Sequence, residues 1–167
     1  MTTRTTANDM KLIRSALFSL LGSPGTLPFS FSLDGRAFSG IPDSWPCETS
    51  RRTVDAKIVE YEYLARVPNS PLTISVQITK YLDFPVYEWT IYFKNCGDTP
   101  SEIISDFLGI DAELPLINPS IWHNNGDFGR AECYKTVCTP LSGGSVFRTA
   151  CVGGRPCDKA FPYLRLT

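Results

Sequence analysis

The side chains best equipped for chemistry in this sequence are a scattering of carboxylates and one short segment that mixes an aromatic ring with amides. Hydrolysis of a glycosidic bond needs two carboxyl groups, which lie about 5 Å apart in enzymes that retain configuration. Asp83, Glu88, Asp106, Asp111, Glu113 and Asp127 are the candidates. Most sit in or beside strand-like runs and read as solvent-face or turn residues, so no catalytic pair is assigned. The single histidine, His123, lies in Ile121-Trp122-His123-Asn124-Asn125-Gly126-Asp127. A Trp ring stacks on the apolar face of a pyranose, while Asn and Asp hydrogen-bond its hydroxyls. Trp122, His123, Asn124, Asn125 and Asp127 are therefore the expected carbohydrate-contact residues. The plainer reading is a surface loop with a packed Trp.

Other constellations carry less. Nothing in the spacing sets a nucleophile beside His123. Cys133 and Cys138 near His123 are spaced more loosely than the usual paired-Cys zinc site, so no metal is assigned. Gly143-Gly144 and Gly153-Gly154 lack the Lys-Ser/Thr and the following helix of a phosphate loop, and no cofactor is expected. The six cysteines, Cys47, Cys96, Cys133, Cys138, Cys151 and Cys157, read as free and mostly buried thiols in a chain too large to need a disulfide framework. One or two bridges among the last four is the alternative, and it goes with export.

These residues must be positioned by a β-rich scaffold. Residues 1–7 are polar and Thr-rich. One helix follows, capped by Asn8 or Asp9, with Met10, Ile13, Leu17, Leu20 and Leu21 at helical spacing and Gly22 and Pro24 as its stop. From Phe29 the period becomes two. Phe29, Phe31 and Leu33 alternate with serines, Asp34-Gly35 marks a tight hairpin, and Arg36-Ala37-Phe38 returns. Residues 53–67 predict one long strand with a bulge near Ile58-Val59, where the apolar parity slips. Pro68-Asn69-Ser70-Pro71 is a turn.

Leu72, Ile74, Val76 and Ile78 then alternate cleanly with polar residues. Tyr87, Trp89, Ile91 and Phe93 line one side of the next strand, as packing between two sheets requires. Asn95 to Pro100 is a loop by composition. Ile103 to Leu116 predicts a further strand, with Ile104, Leu108, Ile110, Ala112 and Leu114 on one parity. Residues 117–143 read as irregular. Ser145 to Val152 and Ala160 to Leu166 read as two last strands, the final one running into the C-terminus as if the chain were cut inside its architecture. Strands joined by short turns with no intervening helices imply antiparallel pairing.

The bulk properties agree with one soluble domain. The 167 residues are 43% hydrophobic and 20% charged, and 16 basic against 17 acidic residues leave a net charge of -1. No run of one charge draws the chain to nucleic acid or to an anionic membrane. The apolar stretch Ala16 to Leu21 is far short of the ~20 residues of a membrane span, and no cleavage site follows it. A cytoplasmic location is expected, with secretion as the alternative.

Four stretches, taken in order, resemble the N-terminal β-sandwich of the α-galactosidase (melibiase) group, family 36 of the glycoside hydrolases. They are Leu27-Pro28-Phe29-Ser30-Phe31 with Asp34-Gly35; Tyr81 to Trp89, containing Asp83-Phe84-Pro85; Phe93 to Pro100 with Ile110-Asp111; and Asn125-Gly126-Asp127 with the later Gly153-Gly154-Arg155-Pro156 and Ala160-Phe161-Pro162-Tyr163. The resemblance implies a galactose-mutarotase-like supersandwich over residues 27–167, preceded by a tail and helix over 1–26. It also implies a partner, a catalytic (β/α)-barrel of the parent chain that carries the two catalytic aspartates. In such enzymes a sandwich loop helps wall the barrel's pocket. The expectation is thus an all-β, large antiparallel β-sandwich, truncated, with one N-terminal helix. Its expected role is as the non-catalytic domain of an α-galactosidase-like hydrolase that supports the barrel and shapes its sugar pocket, with the 122–127 segment as the candidate contact to galactosides. A stand-alone carbohydrate-binding module and a purely structural or interaction domain are the alternatives.

Overall fold

Alternation of apolar and polar residues after Phe29 does produce sheets, all of them antiparallel. The computed structural model describes residues 7, 8, 11, 15, 19–114, 116–126, 130–154 and 157–167. The chain falls into two compact units, Met1–Ala112 and Glu113–Thr167.

In the first unit Ala7, Asn8, Lys11, Ser15, Ser19, Leu20 and Leu21 are helical. Asn8 is inside the helix and does not cap it, since a cap preference biases where a helix starts without forbidding that residue a helical backbone. Met10, Ile13 and Leu17, and Asp9 with them, lie outside the described residues. The helix ends at Leu21, as Gly22 and Pro24 predict, and Pro24–Thr26 form one 3-10 turn. The Tyr63 hydroxyl donates to the Leu21 carbonyl at 3.0 Å and satisfies one of the groups a helix end leaves open.

Seven strands follow: β1 (Ser30–Leu33), β2 (Arg36–Ser39), β3 (Cys47–Thr53), β4 (Ile58–Arg66), β5 (Leu72–Tyr81), β6 (Tyr87–Asn95) and β7 (Ile104–Leu108). They form a three-stranded sheet in the order β2-β1-β7 and a four-stranded sheet in the order β3-β4-β5-β6. Phe29, just before β1, and Phe31 and Leu33 of the first sheet meet Tyr63, Ala65, Ile74, Val76 and Ile78 from the second in one buried core. The Phe31 and Phe93 rings touch edge to face across it, with centroids 5.3 Å apart. This is sandwich packing, each sheet burying one face against the other. Tyr87, Trp89, Ile91 and Phe93 pack against the same core, as their stripe predicts. The β1–β2 turn has φ of 47° at Asp34 and 79° at Gly35, the two positive values a two-residue hairpin needs.

Two readings are corrected here and one strand is added. Residues 53–67 are not one bulged strand. Val54 to Lys57 is a turn between β3 and β4, where the Asp55 carboxylate accepts from the backbone N–H groups of Lys57 and Ile58 at 2.6 and 2.9 Å. A parity slip in sequence has two sources, a bulge or a turn, and here a carboxylate closing on its own backbone makes the turn. β3 itself was not predicted, because an edge strand of sequence CETSRRT has no apolar alternation. Ile103 to Leu116 is not a long strand either. Only Ile104–Leu108 pairs with β1, and the register slips by one residue between Ser30↔Leu108 and Ser32↔Ser105. The extra residue is on β7, where Asp106 has φ of 50°.

In the second unit β8 (Ser120–His123), β9 (Val137–Pro140) and β10 (Arg165–Leu166) form a sheet in the order β10-β8-β9. Ala131–Tyr134 make one 3-10 turn between β8 and β9. The region read as irregular therefore carries two of the strands, neither of which has an apolar alternation. The strand predicted over 145–152 is absent. Ser145 turns back on Ser142 through a backbone bond at 2.9 Å and a side-chain bond at 2.9 Å, an alternative that serine offers to a ladder. Of the strand predicted over 160–166, only Arg165 and Leu166 pair. Among the described residues no helix is long and apolar enough to cross a membrane.

Candidate carbohydrate-contact site

Trp122 and His123 are on a strand, not in a loop. β8 is the middle strand of its sheet, with Trp122 opposite Cys138 and Arg165, and His123 opposite Val137. Ile121, one residue earlier, points the other way and is buried. The alternation of β8 is what sends the Trp122 ring outward, where the residue is 37% exposed.

Each side chain of the segment has a measurable environment. The Trp122 indole N–H donates to the Thr167 hydroxyl at 3.1 Å. The His123 ring lies 4.7 Å from the Phe147 ring, and its Nε2 is 3.4 Å from the Thr139 hydroxyl. Asn124 donates from its amide to the Tyr134 carbonyl at 2.8 Å, and its own carbonyl accepts from the Phe161 N–H at 3.2 Å. Asn125 is exposed. Gly126 is buried, with φ of 67°, and its N–H donates to the Cys133 carbonyl at 2.7 Å. Asp127 lies outside the described residues.

The structure thus brings Trp122, His123, Asn124 and Asn125 into one short stretch but divides their work. His123 and Asn124 stitch the second unit together. Trp122 offers a half-open ring, and Asn125 offers an open amide. That pair is able to stack one face of a flat apolar ligand and to hydrogen-bond at its rim. Thr167, Phe147 and Thr139, which hold the ring positions, were invisible to sequence reasoning because their spacing to 122–123 follows no short-range rule.

The carboxylates scatter. Asp83 pairs with Lys57 at 3.1 Å. Glu88 accepts from the Tyr81 hydroxyl at 3.0 Å, and that bond to a carboxylate, with burial second, raises the Tyr81 pKa. Asp106 accepts from Ser105 at 3.0 Å, and Asp111 and Glu113 face solvent.

The cysteines depart from the expected burial, since none of the six is buried. Cys47, Cys96, Cys133, Cys138 and Cys157 are free thiols, and the Cys151 thiol donates to the Ala160 carbonyl at 3.5 Å. Partial burial, then the Glu48 charge, pushes the Cys47 thiol up and leaves it protonated near neutral pH. Among the described residues no group of three or more His, Cys, Asp or Glu converges as metal ligands would.

Comparison with family models, curated proteins and solved structures finds no match. The functional reading therefore rests on the residues and their geometry.

Proposed function

We propose that this chain is the non-catalytic sandwich domain of an α-galactosidase-like glycoside hydrolase, packing on a catalytic barrel and helping to shape its sugar pocket. The observation that carries the reading is the uncovered apolar row along β7 and just past it. Ile103 is 73% exposed and Ile110 71% exposed, and Phe107 and Leu108 between them are also open. β7 is an edge strand of its sheet. Exposed apolar side chains on an open edge are the kind of surface that soluble proteins bury against a partner. The sandwich, the order of the four resembling stretches and the outward Trp122 ring support the same assignment.

The test is association with the catalytic barrel of a family 36 α-galactosidase, expressed separately. The expected result is a complex that Ile110→Glu weakens by about tenfold, while the chain alone leaves a chromogenic α-galactoside uncleaved. Absence of any complex with that barrel would overturn the proposal, as would hydrolysis by the chain alone. A second reading, a stand-alone carbohydrate-binding module, draws on the open Trp122 ring and the exposed Asn125. It predicts galactoside binding by the chain alone that Trp122→Ala abolishes.

A further inference from the structure

We propose that the outer face of the four-stranded sheet is a second ligand site, built for an extended neutral glycan and independent of the 122–127 segment. The residues follow from the register. The inner face of β5 is Leu72, Ile74, Val76 and Ile78, so Thr73, Ser75, Gln77 and Thr79 face out. Opposite Ser75 stand Leu64 on β4 and Tyr92 on β6, and opposite Gln77 stand Glu62 and Thr90. Three adjoining depressions of about 390, 430 and 490 Å³ run along this face. The first two share Gln77, and the second and third share Leu64, Thr73 and Lys94. They make one shallow trough lying along the strands.

The chemistry of the trough narrows its occupant. Tyr92 is 49% exposed at its centre, an aromatic ring among mostly polar side chains. Gln77 is its diagonal neighbour across the strand pair, about 7–8 Å away, so one sugar ring resting on Tyr92 reaches the amide. Two ion pairs lie toward the ends of the trough. At one end Arg52 meets Glu60 at 2.6 Å, and toward the other Arg66 meets Glu48 at 3.3 Å. Between them Glu62 is engaged by the Ser75 hydroxyl at 2.8 Å. Lys94 lines the second and third depressions and Glu62 the first, so the middle carries one charge of each sign beside hydroxyls, an amide and one ring, a balance that suits an uncharged ligand rich in hydroxyls. The face offers no excess positive charge to a phosphate backbone. The site deepens the accessory-domain reading and rests on it for the choice of probe.

The experiment is titration of the full chain with stachyose, a neutral α-galactosyl tetrasaccharide, followed by backbone amide NMR. Shifts concentrated at Tyr92, Gln77 and Thr90 are expected, with roughly tenfold weaker binding in Tyr92→Ala and Gln77→Ala and most of the affinity kept in Tyr92→Phe. Because Tyr92 and Gln77 are on the solvent face, circular dichroism of both alanine variants should match the parent. The mapping on the unaltered chain stands as a check that needs no variant. Binding that Trp122→Ala removes and Tyr92→Ala leaves intact would sink the sheet site but keep a sugar-binding chain. No binding at all would sink the sheet site, while association with the barrel still decides the accessory role separately.

Discussion

In Met1–Ala112 the buried apolar residues include Phe29, Phe31, Ile41, Ile74, Val76 and Ile78, drawn from both sheets and the segments that join them. In Glu113–Thr167 the buried apolar residues among those described are Ile121 and Ala160. The first unit is organised by area taken out of water. The second is organised by polar side chains and turns: Asn124 to Tyr134, Trp122 to Thr167, Gly126 to Cys133, and the Ser142–Ser145 turn. Hydrophobic burial is insensitive to small shifts in position, whereas hydrogen bonds and left-handed turns fail abruptly when one atom is moved. The two units should therefore respond differently to the same kind of substitution.

The largest expected effect is in the first unit. Phe31 is buried among Phe29, Phe38, Trp45 and Phe93, and Phe31→Ala should cost about 3–5 kcal/mol. Equilibrium urea denaturation followed by near-ultraviolet dichroism reads this directly, and a loss below about 1 kcal/mol would mean the aromatic cluster is not the core of the sandwich.

Next comes Gly126→Ala in the second unit. The added methyl group would sit 2.6 Å from the Cys157 carbonyl, in a backbone with φ of 67°. A loss of more than about 1 kcal/mol is expected, felt as faster amide exchange across β8 and β9 while β4 and β5 stay protected. Gly144→Ala is the matched control, since its φ is 79° but nothing lies within 4 Å of the new atom. Equal effects at the two glycines would show that contact at Gly126 contributes nothing beyond backbone strain.

A smaller effect belongs to Tyr63, whose buried hydroxyl ties β4 to the helix end. Tyr63→Phe should cost about 1 kcal/mol. Burial first, with the nearby Cys47 and Tyr61 adding to it, raises the Tyr63 pKa. A folded pKa above the unfolded one means the native state holds the proton longer. The stability it contributes is complete below the ordinary tyrosine value of about 10 and is lost as pH rises through the raised one. Denaturation midpoints measured from pH 8 to 11 should fall, and fall less steeply in Tyr63→Phe. The smallest effect should come from Arg52→Ala. Its ion pair with Glu60 is solvent-exposed, and the expected change is below about 1 kcal/mol.

Legibility in the sequence follows the same division. β5 and β6 were read nearly to the residue because apolar and polar positions alternate along them, and β1 and β2 because the Asp34-Gly35 turn between them is legible by itself. β3 escaped because its inward positions are Cys47, Thr49, Arg51 and Thr53, with Arg51 covering the Tyr61 ring at 5.9 Å instead of burying an apolar chain. β8 and β9, of four residues each, escaped because neither carries an apolar alternation and no two-residue turn joins them as Asp34-Gly35 joins β1 to β2. At the candidate site the residue types at Trp122 to Asn125 were visible. That His123 and Asn124 would be occupied internally was not.

By itself the sequence determined an antiparallel sheet protein with an N-terminal helix, a hairpin at Asp34-Gly35 and an aromatic stripe facing a core. Those features depend on neighbours two to four residues apart. Only the tertiary structure decided where the parity slip becomes a turn, where β7 bulges, which residues brace Trp122 and His123, and that Tyr92 and Gln77 share an open face with Glu62. Each of those is a relation between residues distant in the chain, set by strand register and by which polar atoms reach one another once the sheets have closed.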